Sequence, residues 1–340
     1  MKNKVLLVYT GGTIGMVQDE RGSLKPFPMD HIYDLLPELE KCPYSIDTYQ
    51  LDKIIDSSNM TPDFWVDIAE VIEKRYEDYD GFVVLHGTDT MAYTASALSF
   101  MFKNLSKPII LTGSQLPMGV LRTDGRENII CALELASCRE AFIPEVCLFF
   151  ENHLYRGNRS TKLSAENFDA FYSFNFPSLA KAGINFSFKP HLFLPKGTKP
   201  LEVRKHFDRN IAVLKLFPGI TPEVVNAILG AENLHGVVVE TFGSGNAPTE
   251  SWFIEAMENA LRRGILVLNV TQCKAGSVVM CQYEASCEMN RIGIIGGRDI
   301  TLEAAVTKMM YLLGTYPDNL EHVRECLSRP LRGEMTESAC

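Results

Sequence analysis

Residues 82–91 read FVVLHGTDTM, an apolar run that gives way to glycine and small polar side chains. A continuous β-branched run of this length is typical of a strand covered on both faces, as in a parallel sheet. Similar runs recur along the chain with helix-period segments between them, at residues 4–9, 109–112, 146–150, 211–214, 237–239 and 265–270. This alternation of strands and helices predicts an α/β fold.

Helix boundaries can be predicted from capping residues. A threonine that can cap a helix precedes a proline suited to the first helical position at Thr61-Pro62, and again at Thr221-Pro222. Two more helices are predicted, one from about 249 to Gly264 and one from 301 to 313, each ended by a glycine.

A poorly periodic stretch rich in charge, proline and glycine separates the two groups of strands. We therefore predict a larger N-terminal α/β domain over residues 1–190, a linker over 191–209 and a smaller C-terminal α/β domain over 210–340. A chain of 340 residues fits two domains of roughly 100–200 residues each.

Charge and cysteine content restrict the possible functions. The chain has 33 Lys+Arg and 42 Asp+Glu, a net charge of −9, which disfavours binding to nucleic acid or to anionic membranes and favours a small-molecule substrate. No apolar run is long enough to span a membrane, and the first run is too short for a signal peptide. The nine cysteines are odd in number and form no CxxC pair, which predicts reduced thiols and a cytoplasmic location.

Small polar side chains follow two of the predicted strands. The segment TGGTIG at 10–15 ends the first strand and matches neither the Walker A nor the GxGxxG spacing, whereas Thr88 and Asp89 follow the run at 82–86. Carboxyl ends of parallel strands open into one crevice, although helix capping would also explain Thr88 or Asp89. A threonine nucleophile needs a base or a charged partner, and Lys162 is a candidate partner for Asp89.

Other polar residues have a less specific interpretation. Asp56, Ser57 and Ser58 could hold an amino acid, or could form only a turn and a helix cap. His86 and Cys273 are interpreted as core or rim residues. The scattered histidines predict no metal site.

Taken together, these motifs resemble the bacterial type I, cytoplasmic L-asparaginases of the asparaginase/glutaminase family. The motifs are TGGTIG at 10–15, IDSSNMTP at 55–62, HGTDTMAYTASALSF at 86–100, TGSQLP at 112–117, LYRGNRSTK at 154–162, FGSGNAP at 242–248 and NVTQC at 269–273. The resemblance implies a flavodoxin-like sheet in the larger domain and hydrolysis of L-asparagine to L-aspartate and ammonia without a cofactor. It also implies a homo-oligomer, either dimer or tetramer, with sites shared between subunits.

The resemblance further implies roles for individual residues. Thr13 would be the nucleophile that forms an acyl-enzyme. Thr88 would be the second catalytic group, oriented by Lys162 and Asp89. Thr88 and Asp89 would also contact the substrate, Asp89 through the α-ammonium group. The remaining substrate-binding residues would be Asp56, Ser57 and Ser58.

Two positions depart from the pattern of the family. The loop after the nucleophile often carries a tyrosine in these enzymes, but residues 14–31 contain none, and Ser23 stands at that position. Some type I enzymes bind asparagine at an allosteric site through an arginine, and Glu240 stands there in this chain. The resemblance implies that Glu240, Thr271 and Cys273 would make up a degenerate allosteric site, so we expect near-hyperbolic kinetics.

Three other interpretations compete with an asparaginase. The first is an amidohydrolase acting on glutamine, or the amidotransferase subunit that supplies ammonia for a misacylated tRNA. The second is a non-catalytic amino-acid sensor that keeps the pocket without turnover. The third is a nucleotide-binding module, which the absent Walker and Rossmann spacings disfavour.

Overall fold

The computed structural model describes residues 2–18, 24–26, 32–138, 142–282 and 284–337. The chain separates into two compact units, residues 1–204 and 205–340. No helix in the described ranges is long and apolar enough to cross a membrane.

The first unit is built around one large sheet. The strands of this unit are β1 Lys4–Gly11, β2 Met16–Gln18, β3 Leu24–Pro26, β4 Ser45–Ile55, β5 Gly81–Leu85, β6 Phe102–Lys103, β7 Ile109–Thr112, β8 Val146–Phe150, β9 His153–Arg156, β10 Thr161–Lys162, β11 Phe171–Tyr172, β12 Ala180–Lys181, β13 Ser187–Phe188 and β14 Glu202–Val203. The large sheet has the order β13-β12-β9-β8-β7-β5-β1-β4, and β2–β3, β10–β11 and β6–β14 form small antiparallel pairs.

The half of the large sheet from β8 to β4 is parallel. Numbered among themselves along the chain, these five strands have the order 2-1-3-4-5, with β4 second and β8 fifth. This is the flavodoxin-like order, so the predicted fold class is confirmed for this unit. In such a sheet the chain reverses its direction of winding between β1 and β5, and ligands bind beyond the strand ends at that point.

Helices cover the parallel half of this sheet: α1 Ile32–Leu35, α2 Pro62–Lys74, α3 Met91–Met101 and α4 Gly125–Ser137. Helix α2 begins after Thr61 as predicted, but the Thr61 side chain makes no capping hydrogen bond. Helix α3 is buried on nearly every side, which explains why small residues such as Ala92, Ala95 and Ala97 occupy it. Its position matters because α3 starts directly after the polar segment at 86–90.

The second unit has a four-stranded parallel sheet in the order β15-β16-β17-β18. The strands are β15 Ile211–Lys215, β16 Gly236–Thr241, β17 Leu266–Thr271 and β18 Ile295–Gly296. The helices are α5 Pro222–Leu229, α6 Ser251–Arg262, α7 Glu284–Ile292, α8 Leu302–Thr315 and α9 Leu320–Ser328. The prediction that the C-terminal part of the chain has its own α/β fold is therefore confirmed.

One helix end differs from its prediction. Gly314 lies inside α8, which continues to Thr315, and does not end the helix. A Cβ at this position would lie 2.7 Å from backbone atoms of His206 and Phe207. This glycine therefore permits close packing of the helix against an adjacent segment, a role that sequence periodicity does not distinguish from that of a helix stop.

The segment predicted as a linker carries structure of its own. A 3₁₀ turn occupies Pro190–Leu192, and β14 pairs with β6. Leu194 N–H donates to the carboxylate of Glu145, which also accepts from Arg156 Nε at 2.6 Å. These contacts fix the segment to the first unit up to Arg204.

The second unit contains a fully buried ion pair. Lys308 Nζ on α8 lies 2.7 Å from Glu334 Oε1, and both side chains are 0% exposed. Burial lowers the pKa of Lys308 against the opposing effect of the Glu334 charge. Burial would raise the pKa of Glu334, but Lys308 and backbone N–H donors hold it below its ordinary value. The carboxylate also accepts the N–H groups of Leu331 and Arg332 within the C-terminal segment. The ion pair with Lys308 joins this segment to α8.

We expect Lys308→Met to destabilise the protein by about 3–5 kcal/mol, because it leaves the buried Glu334 charge without its cation. Lys74→Met, which breaks the exposed ion pair with Glu70, should change stability by less than about 0.5 kcal/mol. Thermal unfolding followed by circular dichroism measures both. The double variant Lys308→Met/Glu334→Gln should recover part of the loss, and equal effects of the two single variants would contradict the argument.

Candidate active site

Two glycines, Gly12 after β1 and Gly87 after β5, lie in contact at the ends of these strands. Gly12 has φ +87°, a conformation that L side chains rarely adopt, and a Cβ there would lie 2.5 Å from Gly87 Cα. A Cβ on Gly87 would lie 2.5 Å from Ser57 Oγ in the loop after β4. Thr10 Oγ1 also donates to Leu85 O at 2.9 Å. Glycine at both positions therefore allows three strand-end loops to approach one another.

Thr13 begins a 3₁₀ turn, Thr13–Gly15, directly after the Gly12 contact. The Thr13 side chain is partly exposed, whereas Ile14 and Gly15 are buried. Gly15 N–H donates to Gly12 O at 3.3 Å, and Met16 N–H donates to Thr13 O. Thr13 and Thr88 each follow one of the two glycines that are in contact, so both threonines lie on adjoining strand-end loops.

Lys162 joins the two residues that follow β5. Its Nζ donates to Thr88 Oγ1 at 2.8 Å and to Asp89 Oδ1 at 2.7 Å, across more than 70 residues of chain. The Lys162 side chain is 19% exposed and that of Asp89 is 63% exposed. The predicted contact between Lys162 and Asp89 is thus present, and Thr88 shares the same ammonium group.

Lys162 is held in place by the segment before it. A buried 3₁₀ turn, Gly157–Arg159, packs against α3, where a Cβ on Gly157 would lie 3.0 Å from Ala95 Cβ. Ser160 Oγ donates back to Gly157 O at 2.8 Å. Lys162 then pairs with Phe171 in the β10–β11 ribbon. The cation is therefore placed by buried contacts and strand pairing.

Gln115 also contacts Thr88. Thr88 Oγ1 donates to Gln115 Oε1 at 3.3 Å, and Gln115 Nε2 donates to Asn167 O at 3.0 Å. The Asp124 carboxylate accepts the backbone N–H of Gln115 at 3.0 Å and fixes the loop after β7. Sequence reasoning assigned Gln115 no role, although its motif TGSQLP follows a predicted strand just as the motifs of Thr13 and Thr88 do.

The loop after β4 carries Asp56, Ser57 and Ser58. Asp56 Oδ1 accepts both Ser58 N–H and Ser58 Oγ at 2.9 Å, and these bonds lower the pKa of the Asp56 carboxyl below its ordinary value. Ser57 is buried, and its carbonyl accepts Thr90 Oγ1 at 2.7 Å. Asp56 and Ser58 are exposed. The loop is thereby joined to the segment that carries Thr88 and Asp89.

His86 belongs to the core, as predicted. It is fully buried, its Nδ1 lies 2.7 Å from Gly87 O and its Nε2 lies 2.9 Å from Thr94 Oγ1. Trp65 Nε1 donates to the same Thr94 hydroxyl at 3.1 Å. The imidazole is therefore neutral with its proton on Nδ1, and burial lowers its pKa to about 4.

The three residues of the predicted degenerate allosteric site lie in the second unit, at the strand ends of β16 and β17. Glu240 is nearly buried and lies 3.7 Å from Lys215 Nζ. Thr271 Oγ1 donates to Gly243 O at 2.6 Å and accepts the N–H of Cys273 at 3.0 Å. Cys273 is exposed, and Ser23 lies outside the described residues.

The described ranges contain no group of three or more His, Cys, Asp or Glu side chains that could hold a metal ion. At the switch point of the flavodoxin-like sheet, the Lys162 ammonium group contacts the Thr88 hydroxyl and the Asp89 carboxylate, and Thr13 and Asp56 lie on the adjoining strand-end loops. Polar and charged side chains at the switch point of a flavodoxin-like sheet are typical of α/β proteins that bind a small ligand at that crevice.

Comparison with known proteins identifies the family. The family models "Asparaginase, N-terminal" and "Glutaminase/Asparaginase C-terminal domain" match residues 4–192 and 210–327. The chain is 44% identical to L-asparaginase 1 of Escherichia coli (strain K12), over 98% of each protein. It is 42% identical to the 60 kDa lysophospholipase of Mus musculus, over 98% of this chain and 63% of that protein. The crystal structure of L-asparaginase I from Vibrio cholerae superposes with a TM-score of 0.91, at 41% identity, over 99% of this chain and all of that one.

The chain therefore belongs to the asparaginase/glutaminase family, among the type I L-asparaginases, and is an amidohydrolase. The predicted resemblance is confirmed over residues 4–192 and 210–327 of the chain.

The buried, neutral His86 predicts a pH dependence of stability. The pKa is about 4 in the folded protein and 6.5 for an unperturbed histidine, so between these values only the unfolded chain binds the proton. Stability should fall as the pH drops from about 7 to about 4, by roughly 3 kcal/mol from this residue. His86→Gln should be less stable than the wild type at pH 7, and the difference should shrink at pH 5. Melting temperatures of both proteins at the two pH values test this, and a constant difference would contradict it.

Proposed function

We propose that this protein hydrolyses L-asparagine to L-aspartate and ammonia through an acyl-enzyme on Thr13. The observation that carries the proposal is the pair of short contacts from Lys162 Nζ to Thr88 Oγ1 and Asp89 Oδ1. A threonine hydroxyl is a weak nucleophile at neutral pH, and a charged network beside it supplies the proton transfers that it needs.

In the first half-reaction Thr13 Oγ1 attacks the side-chain amide carbon of the substrate. The hydroxyl proton leaves Thr13 through the neighbouring polar network, and the amide nitrogen leaves as ammonia after gaining a proton. Each such transfer contributes about 10²–10⁴-fold to the rate. The backbone around Gly11–Gly12 and Gly87 approaches the site closely enough to offer N–H donors to the oxyanion.

In the second half-reaction water attacks the Thr13 ester. We propose that Thr88 is the second catalytic group and that it directs this water. Lys162 and Asp89 orient the Thr88 hydroxyl, whose own proton points to Gln115 Oε1. Loss of the Thr13 ester regenerates the free hydroxyl and releases L-aspartate, so the cycle needs no cofactor or metal.

Substrate binding falls to the exposed groups at the same strand ends. Asp89 is well placed for the α-ammonium group because its carboxylate is 63% exposed while one oxygen is held by Lys162. On the side of β4, the exposed Asp56 and Ser58 and the buried Ser57 between them complete the proposed set of binding residues. The low pKa of Asp56 keeps this carboxylate charged at neutral pH, which suits it to a cationic ammonium group.

We also propose the domain boundaries, the partners, the location and the oligomeric state of the protein. We assign the catalytic α/β domain to residues 1–190, the linker to 191–209 and the C-terminal α/β domain to 210–340. The net charge of −9 supports a small-molecule substrate with no nucleic-acid or membrane partner. Reduced cysteines support a cytoplasmic location, and we propose a homo-oligomer, either a dimer or a tetramer.

L-Glutamine is the second candidate substrate, because the C-terminal family model covers glutaminases as well as asparaginases. Glutamine differs from asparagine by one methylene group. Such a difference separates two substrates by only about 1–3 kcal/mol.

Thr13→Ala should abolish ammonia release from L-asparagine while the melting temperature stays near that of the wild type, because the side chain is partly exposed and only its methyl and hydroxyl groups are lost. Thr221→Ala, in the second unit, is the control and should keep full activity.

Asp89→Ala should raise KM and lower kcat together. Full activity of Thr13→Ala would overturn the nucleophile, and an unchanged KM in Asp89→Ala would contradict binding of the ammonium group.

The rate should follow a near-hyperbolic curve in L-asparagine concentration, since the Glu240 carboxylate would repel the carboxylate of a second, effector asparagine. Initial rates over a wide concentration range measure the shape. Cys273→Ala should leave the curve unchanged. A clear sigmoid would show that an effector site works despite Glu240.

A further inference from the structure

Tyr9 lies directly beneath the turn that carries Thr13. It occupies β1 four residues before Thr13 and is fully buried. A Cβ on Gly15 would overlap Tyr9 Cζ, Cε2 and the hydroxyl oxygen, so the phenol packs directly against Gly15 at the end of the Thr13–Gly15 turn. Gly15 does not have a positive φ, so it is needed for space and not for backbone conformation.

The Tyr9 hydroxyl is buried without a hydrogen-bond partner among the described residues. A buried polar group left in this state costs about 1–3 kcal/mol, and such a group in a native protein calls for an explanation. Phenylalanine would fill the same space and would avoid this cost. Tyrosine at this position, which contacts the Thr13–Gly15 turn, therefore makes folding less favourable than phenylalanine would.

The turn is held mainly by backbone contacts. Gly15 N–H donates to Gly12 O at a long 3.3 Å, and Met16 N–H donates to Thr13 O. At its start, Gly11 and Gly12 pack against the backbone of Ile55 and Gly87, and at its end Gly15 packs against the ring of Tyr9. Tyr9 is thus a side chain in direct contact with the turn that carries Thr13.

We propose that Tyr9 is a positioning residue for Thr13: its ring supports the Thr13–Gly15 turn, and its hydroxyl bonds to the backbone of that turn during the reaction. The unbonded hydroxyl of the free enzyme would then gain a partner as the turn adjusts to the substrate. This inference rests on the proposed function, because it assigns Tyr9 a part in the attack by Thr13.

The Tyr9 hydroxyl is suited to donate a hydrogen bond without losing its proton. Burial raises the pKa of Tyr9 to about 12, so its proton stays in place at any pH at which the enzyme works. Tyr9 can then donate a hydrogen bond without contributing an ionisation to the pH dependence of the rate.

Tyr9→Phe is the decisive variant, and Tyr76→Phe is its matched control. Tyr76 is also buried in the same unit, at 5% exposed against 0% for Tyr9, but its hydroxyl accepts Ser106 N–H at 2.7 Å and lies 3.1 Å from Ser106 Oγ. We expect Tyr9→Phe to keep or raise the melting temperature and to lower kcat for L-asparagine roughly three- to tenfold, the factor of one ordinary hydrogen bond. Its KM and the pH profile of kcat should not change. Tyr76→Phe should show the reverse, a lower melting temperature with unchanged kcat.

Gly15→Ala gives a second, independent test, because its methyl group must displace the ring of Tyr9 or the turn. It should lower kcat more than Tyr9→Phe does. An unchanged kcat in Tyr9→Phe, with the wild type active, would overturn the inference and leave the proposed function standing. A fall in kcat that only matches a fall in melting temperature would also overturn it. A wild-type protein that releases no ammonia from either amide would overturn both.

Discussion

The site depends on the close approach of two backbones at the point where the flavodoxin-like sheet reverses its winding. Gly12 after β1 and Gly87 after β5 are in contact, and Ser57 after β4 touches Gly87 in turn. Any side chain at either glycine would force these loops apart. Because Thr13 and Thr88 each follow one of the two glycines, their separation is set by this backbone contact and by the spacing of neighbouring strands.

The cationic part of the site has a different origin. After β8 the sheet changes from parallel to antiparallel, and β9 runs away from the strand ends that carry Thr88. The chain then packs along α3 through the buried Gly157–Arg159 turn and places Lys162 against Thr88 and Asp89. The ammonium group therefore arrives from a part of the fold outside the doubly wound half, which is why its contacts span more than 70 residues.

Buried polar side chains in both units form hydrogen bonds or ion pairs that hold neighbouring segments together, both near the site and far from it. His86, buried at the end of β5, holds the Gly87 carbonyl and is itself held by Thr94 and Trp65. In the second unit Lys308 and Glu334 join the C-terminal segment to α8. Tyr9 differs from these groups because its hydroxyl has no such partner among the described residues. A polar atom that is buried at a cost to folding, against the Thr13–Gly15 turn, supports the proposed positioning role of Tyr9.

Much of this protein could be read from its residues alone. Apolar runs and capping residues gave the α/β class and most strand and helix positions, because burial on both faces and helix ends impose strict local patterns. Motif order gave the family, and with it Thr13, Thr88, Asp89 and Lys162 as residues to examine. Local patterns could not show that Gly314 packs within a helix, that Gln115 bonds to Thr88 or that Tyr9 lies under Gly15. These facts depend on which distant segments touch, and packing contacts of that kind exist only once the chain has folded.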